Sequence, residues 1–124
     1  MKRILIVEDE QDIREALVDK LTREGFETLE AKDGVEGLES ALKEHPDLIL
    51  LDIVMPKMDG MTMMKKLRED QWGGSVPIIL LTNLSATDEK IIKGMVEDEP
   101  AYYLVKSDWK IKDVVQKVKE TLEM

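Results

Sequence analysis

The chain has 124 residues with no cysteine and one histidine, and its formal net charge is −9. This length fits one domain over residues 1–124, and the lack of cysteine excludes a disulfide scaffold and a thiolate metal site. The acidic balance disfavours nucleic acid and anionic membranes as direct partners. Because the sequence has neither a long apolar run nor a signal-peptide pattern, we expect a cytoplasmic protein that does not enter the membrane.

In chain order, short apolar runs that predict β-strands alternate with segments of helical period. Four of the five runs are almost continuously apolar, which is typical of strands covered on both faces. The second run mixes in polar residues and indicates an edge strand. The predicted strands are residues 4–7, 26–31, 48–51, 78–81 and 101–105.

A predicted helix follows each strand, so the element order is βαβαβαβαβα. This alternation predicts an α/β fold with a parallel, doubly wound sheet, right-handed crossovers and helices on both faces. With five strands, the flavodoxin-like strand order 2-1-3-4-5 is the first choice. The predicted apolar helix faces are Ile13, Ala16, Leu17 and Leu21; Val35, Leu38, Ala41 and Leu42; Met61, Met64 and Leu67; Ile91, Ile92, Met95 and Val96; and Ile111, Val114, Val115, Val118 and Leu122.

Polar residues follow four of the predicted strands. Glu8 and Asp9 follow the first strand, Asp52 the third, Thr82 the fourth and Lys106 the fifth. Ligands of a doubly wound sheet bind beyond the carboxyl ends of its strands, at the switch in strand order. In the order 2-1-3-4-5 these four strands are contiguous, so we expect the five side chains at one rim.

Each of these residues also has a purely structural interpretation. The acids after the first strand, including Glu10, could cap the first helix, Asp52 could be a turn residue, and Thr82 could cap a helix. Together, however, three carboxylates without cysteine or histidine form an oxygen-only site that favours Mg²⁺ or Mn²⁺. A lysine and a hydroxyl beside such a site suit phosphoryl oxygens, and Asp52 is the best candidate for a nucleophile.

The sequence resembles the receiver domain of bacterial two-component response regulators, of the chemotaxis type, over essentially its whole length. We therefore expect one receiver domain, as in single-domain regulators. The resemblance rests on the segments 4–10, 50–56, 59–60, 77–82 and 103–106 in this order and spacing.

The resemblance implies a role for each residue of the predicted site. Asp52 corresponds to the phosphoryl acceptor, and Asp9 to a direct Mg²⁺ ligand. Glu8 corresponds to the acid that reaches the metal, often through water, and the backbone carbonyl of Val54 to a further ligand. Lys106 corresponds to the lysine that pairs with the phosphoryl group.

The resemblance also implies a switch and its partners. Thr82 corresponds to the hydroxyl that moves to meet the phosphoryl group, and Tyr103 to the aromatic residue that then turns inward. A histidine kinase or phosphotransfer protein would donate the phosphoryl group. The fourth predicted helix, the fifth strand and the fifth predicted helix would form the output surface for a protein effector.

The main alternative is a pseudo-receiver, a binding module of the same fold that is never phosphorylated. Ser107, where the family usually has proline, and the acidic segment 97–100 favour it mildly, whereas the complete set of site residues disfavours it. A Mg²⁺-dependent phosphatase would need a second acid at the position of Val54. A flavin carrier would need a phosphate loop where the chain has Glu8, Asp9 and Glu10.

Overall fold

The computed structural model describes residues 2–53, 55, 57–82, 102–105 and 110–122, with the backbone alone for Thr82 and for 102–105. The fourth predicted helix, around residues 91–96, lies outside these ranges. The strands are β1 (Arg3–Val7), β2 (Glu27–Ala31), β3 (Leu48–Asp52), β4 (Ile78–Thr82) and β5 (Tyr102–Val105). The helices are α1 (Gln11–Arg23), α2 (Gly34–Glu44), α3 (Gly60–Glu69) and a C-terminal helix (Ile111–Thr121).

The strands form one parallel sheet in the order β2-β1-β3-β4-β5, which confirms the predicted topology. The polar strand β2 lies at an edge, as predicted, and β3 is central. Asp52 pairs with Leu81 across β3 and β4, and Thr82 pairs with Val105 across β4 and β5. The carboxyl ends of these strands therefore lie at one edge of the sheet.

Alternating residues of the central strands supply two separate hydrophobic cores, because successive side chains of a strand point to opposite faces. On one face, α2 and α3 cover Leu5 and Ile49. On the other face, α1 and the C-terminal helix cover Ile4 and Leu48. Residues 4–7 of β1 and all of β3 are buried on both faces of the sheet, which explains why these strands read as continuous apolar runs.

The predicted apolar face of α2 is partly wrong. Val35 and Leu42 are 40% and 38% exposed, whereas the fully buried positions of this helix are Gly34, Gly37 and Ala41. A Cβ atom on Gly37 would lie 2.9 Å from Val7 Cγ1. The helix therefore approaches the sheet through its small residues, which leaves two larger apolar side chains at the surface.

Within the described ranges, no helix has the length and apolar character needed to cross a lipid bilayer.

Candidate functional site

Three carboxylates meet at the carboxyl edge of the sheet. Asp52 is the last residue of β3 and is 3% exposed. Glu8 follows β1 directly and is buried, and its neighbour Asp9 is exposed. One carboxylate oxygen from each residue lies within 4.8 Å of those of the other two. The fold thus brings together three of the residues predicted for the metal site.

The backbone around Glu8 is fixed on several sides. Its N–H donates to the carbonyl of Ala31 in β2 at 3.0 Å, and its side-chain Oε1 accepts from the N–H of Glu10 at 3.2 Å. Glu10 occupies the N-cap position of α1, but its side chain makes no capping hydrogen bond. Helix capping by Glu10 therefore does not account for the acids at this position.

Arg14 of α1 holds the same loop from the other side. Its Nη1 donates to the carbonyl oxygen of Glu8 at 2.8 Å, and its Nε donates to Glu30 Oε1 on β2 at 3.3 Å. Arg14 could not be identified from the sequence, because six residues separate it from Glu8 and no motif connects the two.

The backbone that follows β3 is held by contacts with β4 and with the start of α3. The N–H of Ile53 donates to the carbonyl of Leu81 at 3.1 Å, and Gly60 N–H donates to the carbonyl of Ile53 at 2.8 Å. A Cβ atom on Gly60 would lie 2.1 Å from the carbonyl oxygen of Asp52. The first turn of α3 therefore packs directly against the backbone of Asp52.

Lys57 and Met58, which lie between β3 and α3, contact the start of α2. The N–H of Gly34 donates to the carbonyl of Met58 at 3.1 Å, and Lys57 Nζ lies 3.6 Å from Asp33 Oδ2. Lys57 adopts a left-handed backbone with φ 66°, which is uncommon for a residue other than glycine. These contacts fix Lys57 and Met58, three and four residues after the predicted ligand Val54.

Asp33 is a buried carboxylate outside the three-acid cluster. Its Oδ1 accepts from the N–H of Glu36 at 2.8 Å and so caps α2. This backbone hydrogen bond, assisted by the charge of Lys57, holds the pKa of Asp33 below its ordinary value despite burial. The sequence carries a signal for this cap, because Asp33 stands three residues before Glu36 at the start of a helical segment.

Of the remaining predicted site residues, Thr82 lies at the same edge, Tyr103 lies within β5, and the others are outside the described ranges. Thr82 ends β4, and Tyr103 lies in β5 opposite Leu80. Val54, Lys106 and the Lys106–Ser107 peptide are outside the part of the chain that the structure describes, although Lys106 follows β5 directly in the sequence. Their predicted roles therefore stay predictions.

The donor set fits a hard divalent cation. All three donors are carboxylate oxygens, which Mg²⁺ and Mn²⁺ prefer over softer ligands. Three carboxylates this close repel one another, and a cation among them relieves that repulsion.

Residues 4–119 match the family model of the response regulator receiver domain. The chain belongs to this family. Receiver domains of two-component response regulators act in phosphorylation-dependent signalling and obtain their phosphoryl group from histidine kinases. This receiver domain is accordingly a signalling domain rather than a metabolic enzyme.

Curated relatives of this receiver domain are longer regulators. The DNA-binding dual master transcriptional regulator RpaA of Synechocystis is 37% identical over 73% of this chain and 38% of its own length. The alkaline phosphatase synthesis transcriptional regulatory protein PhoP of Bacillus subtilis is 42% identical over 74% of this chain and 36% of its own length. The receiver domain thus spans well under half the length of the curated relatives it matches.

Solved structures resemble this receiver domain over nearly all of its length. The response regulator TrrA of Thermotoga maritima, solved in complex with Mg²⁺ and BeF, has a TM-score of 0.82 and 34% identity, covering 97% of this chain and 98% of that one. The chemotaxis protein CheY4 of Vibrio cholerae has a TM-score of 0.87 and 28% identity, with the same coverage.

Proposed function

We propose that Asp52 accepts a phosphoryl group from a histidine kinase or phosphotransfer protein in a Mg²⁺-dependent reaction. The observation that carries this proposal is the cluster of Glu8, Asp9 and Asp52, whose carboxylate oxygens lie within 4.8 Å of one another. Asp52 is suited to the acceptor role because it ends the central strand, pairs with Leu81 of β4 and has its backbone packed against Gly60.

In the proposed reaction a carboxylate oxygen of Asp52 attacks the phosphorus of a phosphohistidine. A new O–P bond forms, the P–N bond breaks, and its electron pair returns to the imidazole nitrogen. Glu8, Asp9, Asp52 and the carbonyl of Val54 would hold Mg²⁺, which neutralises charge on the phosphoryl oxygens when bound. Mn²⁺ suits the same donor set. Hydrolysis of the acyl phosphate, in which water attacks the phosphorus, would return the carboxylate, so the domain would also catalyse its own dephosphorylation.

The proposed switch uses the residues that end β4 and follow β5. The Thr82 hydroxyl and the Lys106 ammonium would bind the new phosphoryl oxygens, and Tyr103 would turn inward after Thr82 moves. A shift from 1:99 to 99:1 between two states needs about 5.5 kcal/mol. Two charge-assisted hydrogen bonds at about 1.5–3 kcal/mol each supply most of that free energy.

The proposal extends to the partners of residues 1–124, which we treat as one cytoplasmic receiver domain. The output surface would comprise the fourth predicted helix, β5 and the C-terminal helix, and it would bind a protein effector. The net charge of −9 opposes direct contact of this domain with nucleic acid, because the phosphate backbone is also negative. RpaA is a DNA-binding regulator, but it is a much longer protein than this chain.

The experiment is phosphorylation by acetyl phosphate with and without Mg²⁺, followed by intact-mass spectrometry. Wild-type protein should gain one phosphoryl group only when Mg²⁺ is present. Asp52→Asn should gain none, because the substitution keeps the shape of the side chain and removes its nucleophilic charge. Asp12→Asn is the matched control, since it makes the same change on the exposed first turn of α1.

Two outcomes would contradict the proposal. A phosphoryl group gained by folded Asp52→Asn would show that another residue is the acceptor. A folded wild-type protein that gains none under any condition would favour the pseudo-receiver alternative.

A further inference from the structure

Arg14 connects the acidic cluster to the edge of the sheet. Its side chain is only 17% exposed, although its ion-pair partner Glu30 is 49% exposed. One end of the guanidinium donates to the carbonyl of Glu8 at 2.8 Å, and its Nε donates to Glu30 at 3.3 Å. A single side chain therefore links α1, the loop after β1 and the edge strand β2.

The acceptor of this hydrogen bond is the carbonyl of the peptide that joins Glu8 to Asp9. The N–H of Glu8 is already fixed by the carbonyl of Ala31 at 3.0 Å. The N–H of Glu8 belongs to the preceding peptide and its carbonyl to the Glu8–Asp9 peptide, so the peptides on both sides of Glu8 are held, and with them the direction in which the Glu8 side chain leaves the backbone. Partners of this kind, which hold ligands rather than bind the metal, control affinity through orientation.

We propose that Arg14 is a positioning residue for the divalent-cation site formed by Glu8, Asp9 and Asp52. The inference rests on the proposed function of that cluster. Arg14 does not bind the cation itself. It holds the Glu8–Asp9 peptide so that the two carboxylates converge with Asp52 before the cation arrives.

Positioning and simple electrostatics predict opposite results for this residue. A guanidinium near the cluster repels a second cation, so by Coulomb's law its removal should tighten Mg²⁺ binding. If Arg14 acts by positioning, its removal should weaken Mg²⁺ binding. Lysine separates the two effects further, because it keeps the charge but lacks the planar fork that reaches two acceptors.

The test is Mg²⁺ titration by isothermal calorimetry on wild type, Arg14→Met and Arg14→Lys. Methionine keeps much of the buried stem of Arg14. The matched control is Arg23→Met, which removes an exposed arginine of the same helix that pairs with Asp19. We expect the Kd for Mg²⁺ to rise about tenfold in Arg14→Met and severalfold in Arg14→Lys, as for other partners that orient metal ligands, and to stay near the wild-type value in Arg23→Met.

Two further measurements distinguish positioning from a general loss of structure. Thermal unfolding in EDTA reports the stability of each metal-free variant. In acetyl phosphate labelling, the half-saturating Mg²⁺ concentration should change more than the maximal rate. If Arg14→Met does not fold, Arg14→Lys decides the question.

The two proposals fail in different ways. A wild-type Kd for Mg²⁺ that Arg14→Met and Arg14→Lys leave unchanged, or that Arg14→Met lowers, overturns the role of Arg14 and leaves the proposed function standing. A wild-type protein that binds no Mg²⁺ overturns the proposed function itself, and the role of Arg14 with it.

Discussion

Gly60 is the residue where the proposed acceptor is most sensitive to a small change. A Cβ atom there would lie 2.1 Å from the carbonyl oxygen of Asp52 and 2.9 Å from the Cα of Ile53. Both neighbours are backbone atoms, which cannot rotate away as a flexible side chain can. Any added carbon must therefore displace α3 or the end of β3.

We predict that Gly60→Ala lowers the free energy of unfolding by roughly 1–3 kcal/mol, as overpacking does, and also slows phosphoryl labelling of Asp52. Chemical denaturation and the labelling rate at saturating Mg²⁺ check the two effects. Gly74→Ala is the matched control, because the nearest atom that a Cβ there would meet is the carbonyl oxygen of Asp70, at 3.4 Å. Equal labelling rates in Gly60→Ala and wild type would show that this contact does not position Asp52.

Some residues of the site could be predicted from their positions in the sequence, and others could not. Glu8, Asp9 and Asp52 were predictable, because each follows an apolar strand and the topology brings those strand ends together. Gly60 lies in a segment that carries the family resemblance, but the contacts that Arg14 and Gly60 make with the site were not predictable. Both residues contact the backbone of the site, Arg14 at Glu8 and Gly60 at Asp52. Every residue type has the same backbone, so the residue type at the contacted position does not reveal the contact.

At the scale of elements, the start of α2 and the loop after β3 form one unit. Asp33 caps α2 through the N–H of Glu36 and lies 3.6 Å from Lys57 of the loop. Because its pKa is lowered in the folded protein, folding favours its ionised form. That contribution is fully present above the pKa of an unfolded aspartate, and it is lost as the pH falls through the folded-state pKa.

We predict that Asp33→Asn lowers the free energy of unfolding by roughly 1 kcal/mol near neutral pH, since asparagine still caps the helix but carries no charge. The difference from wild type should stay constant from about pH 7 down to the pKa of an unfolded aspartate, about 3.9, and should shrink as the pH falls further towards the lowered pKa of folded Asp33. Urea denaturation across this pH range measures the free energy of unfolding of both proteins.

The control for this experiment is Asp59→Asn, which removes the charge of the exposed N-cap of α3. This control shows how much of the loss in free energy of unfolding comes from removing the charge of a helix cap in general. A wild-type-minus-variant difference for Asp33 that stays constant with pH would contradict the prediction.

Element type and order could be read from the sequence, whereas the packing of α2 could not. Hydrophobic period located this helix but assigned Val35 and Leu42 to its buried face. The helix buries Ala41, as predicted, but it also buries Gly34 and Gly37, because Met58 and Val7 of β1 leave no space for larger side chains at these two positions. A prediction from hydrophobic period counts only apolar side chains, so it assigns the wrong buried face to a helix that packs through glycine.

At the scale of the whole molecule, cation binding and folding are linked. A ligand that binds only the folded state stabilises it by about 2.7 kcal/mol at a concentration 100 times its Kd. We predict that Mg²⁺ raises the Tm of the wild-type protein and raises that of Asp9→Ala much less. Thermal unfolding followed by circular dichroism measures both values.

Asp12→Ala provides the matched control, because it removes an exposed acid three residues away on the first turn of α1. Its Tm should respond to Mg²⁺ as the wild-type Tm does. Equal Mg²⁺ responses in Asp9→Ala and Asp12→Ala would remove Asp9 from the site.

The two hydrophobic cores are separated by the sheet itself. Among the described residues, the side chains beneath α1 and the C-terminal helix form a separate cluster from those beneath α2 and α3, and substitutions without shared neighbours combine nearly additively. Each face can therefore accumulate changes on its own. Substitutions on the surface of α1 or the C-terminal helix can therefore select a different partner. The opposite face, where α2 and α3 pack near Asp52, stays unchanged.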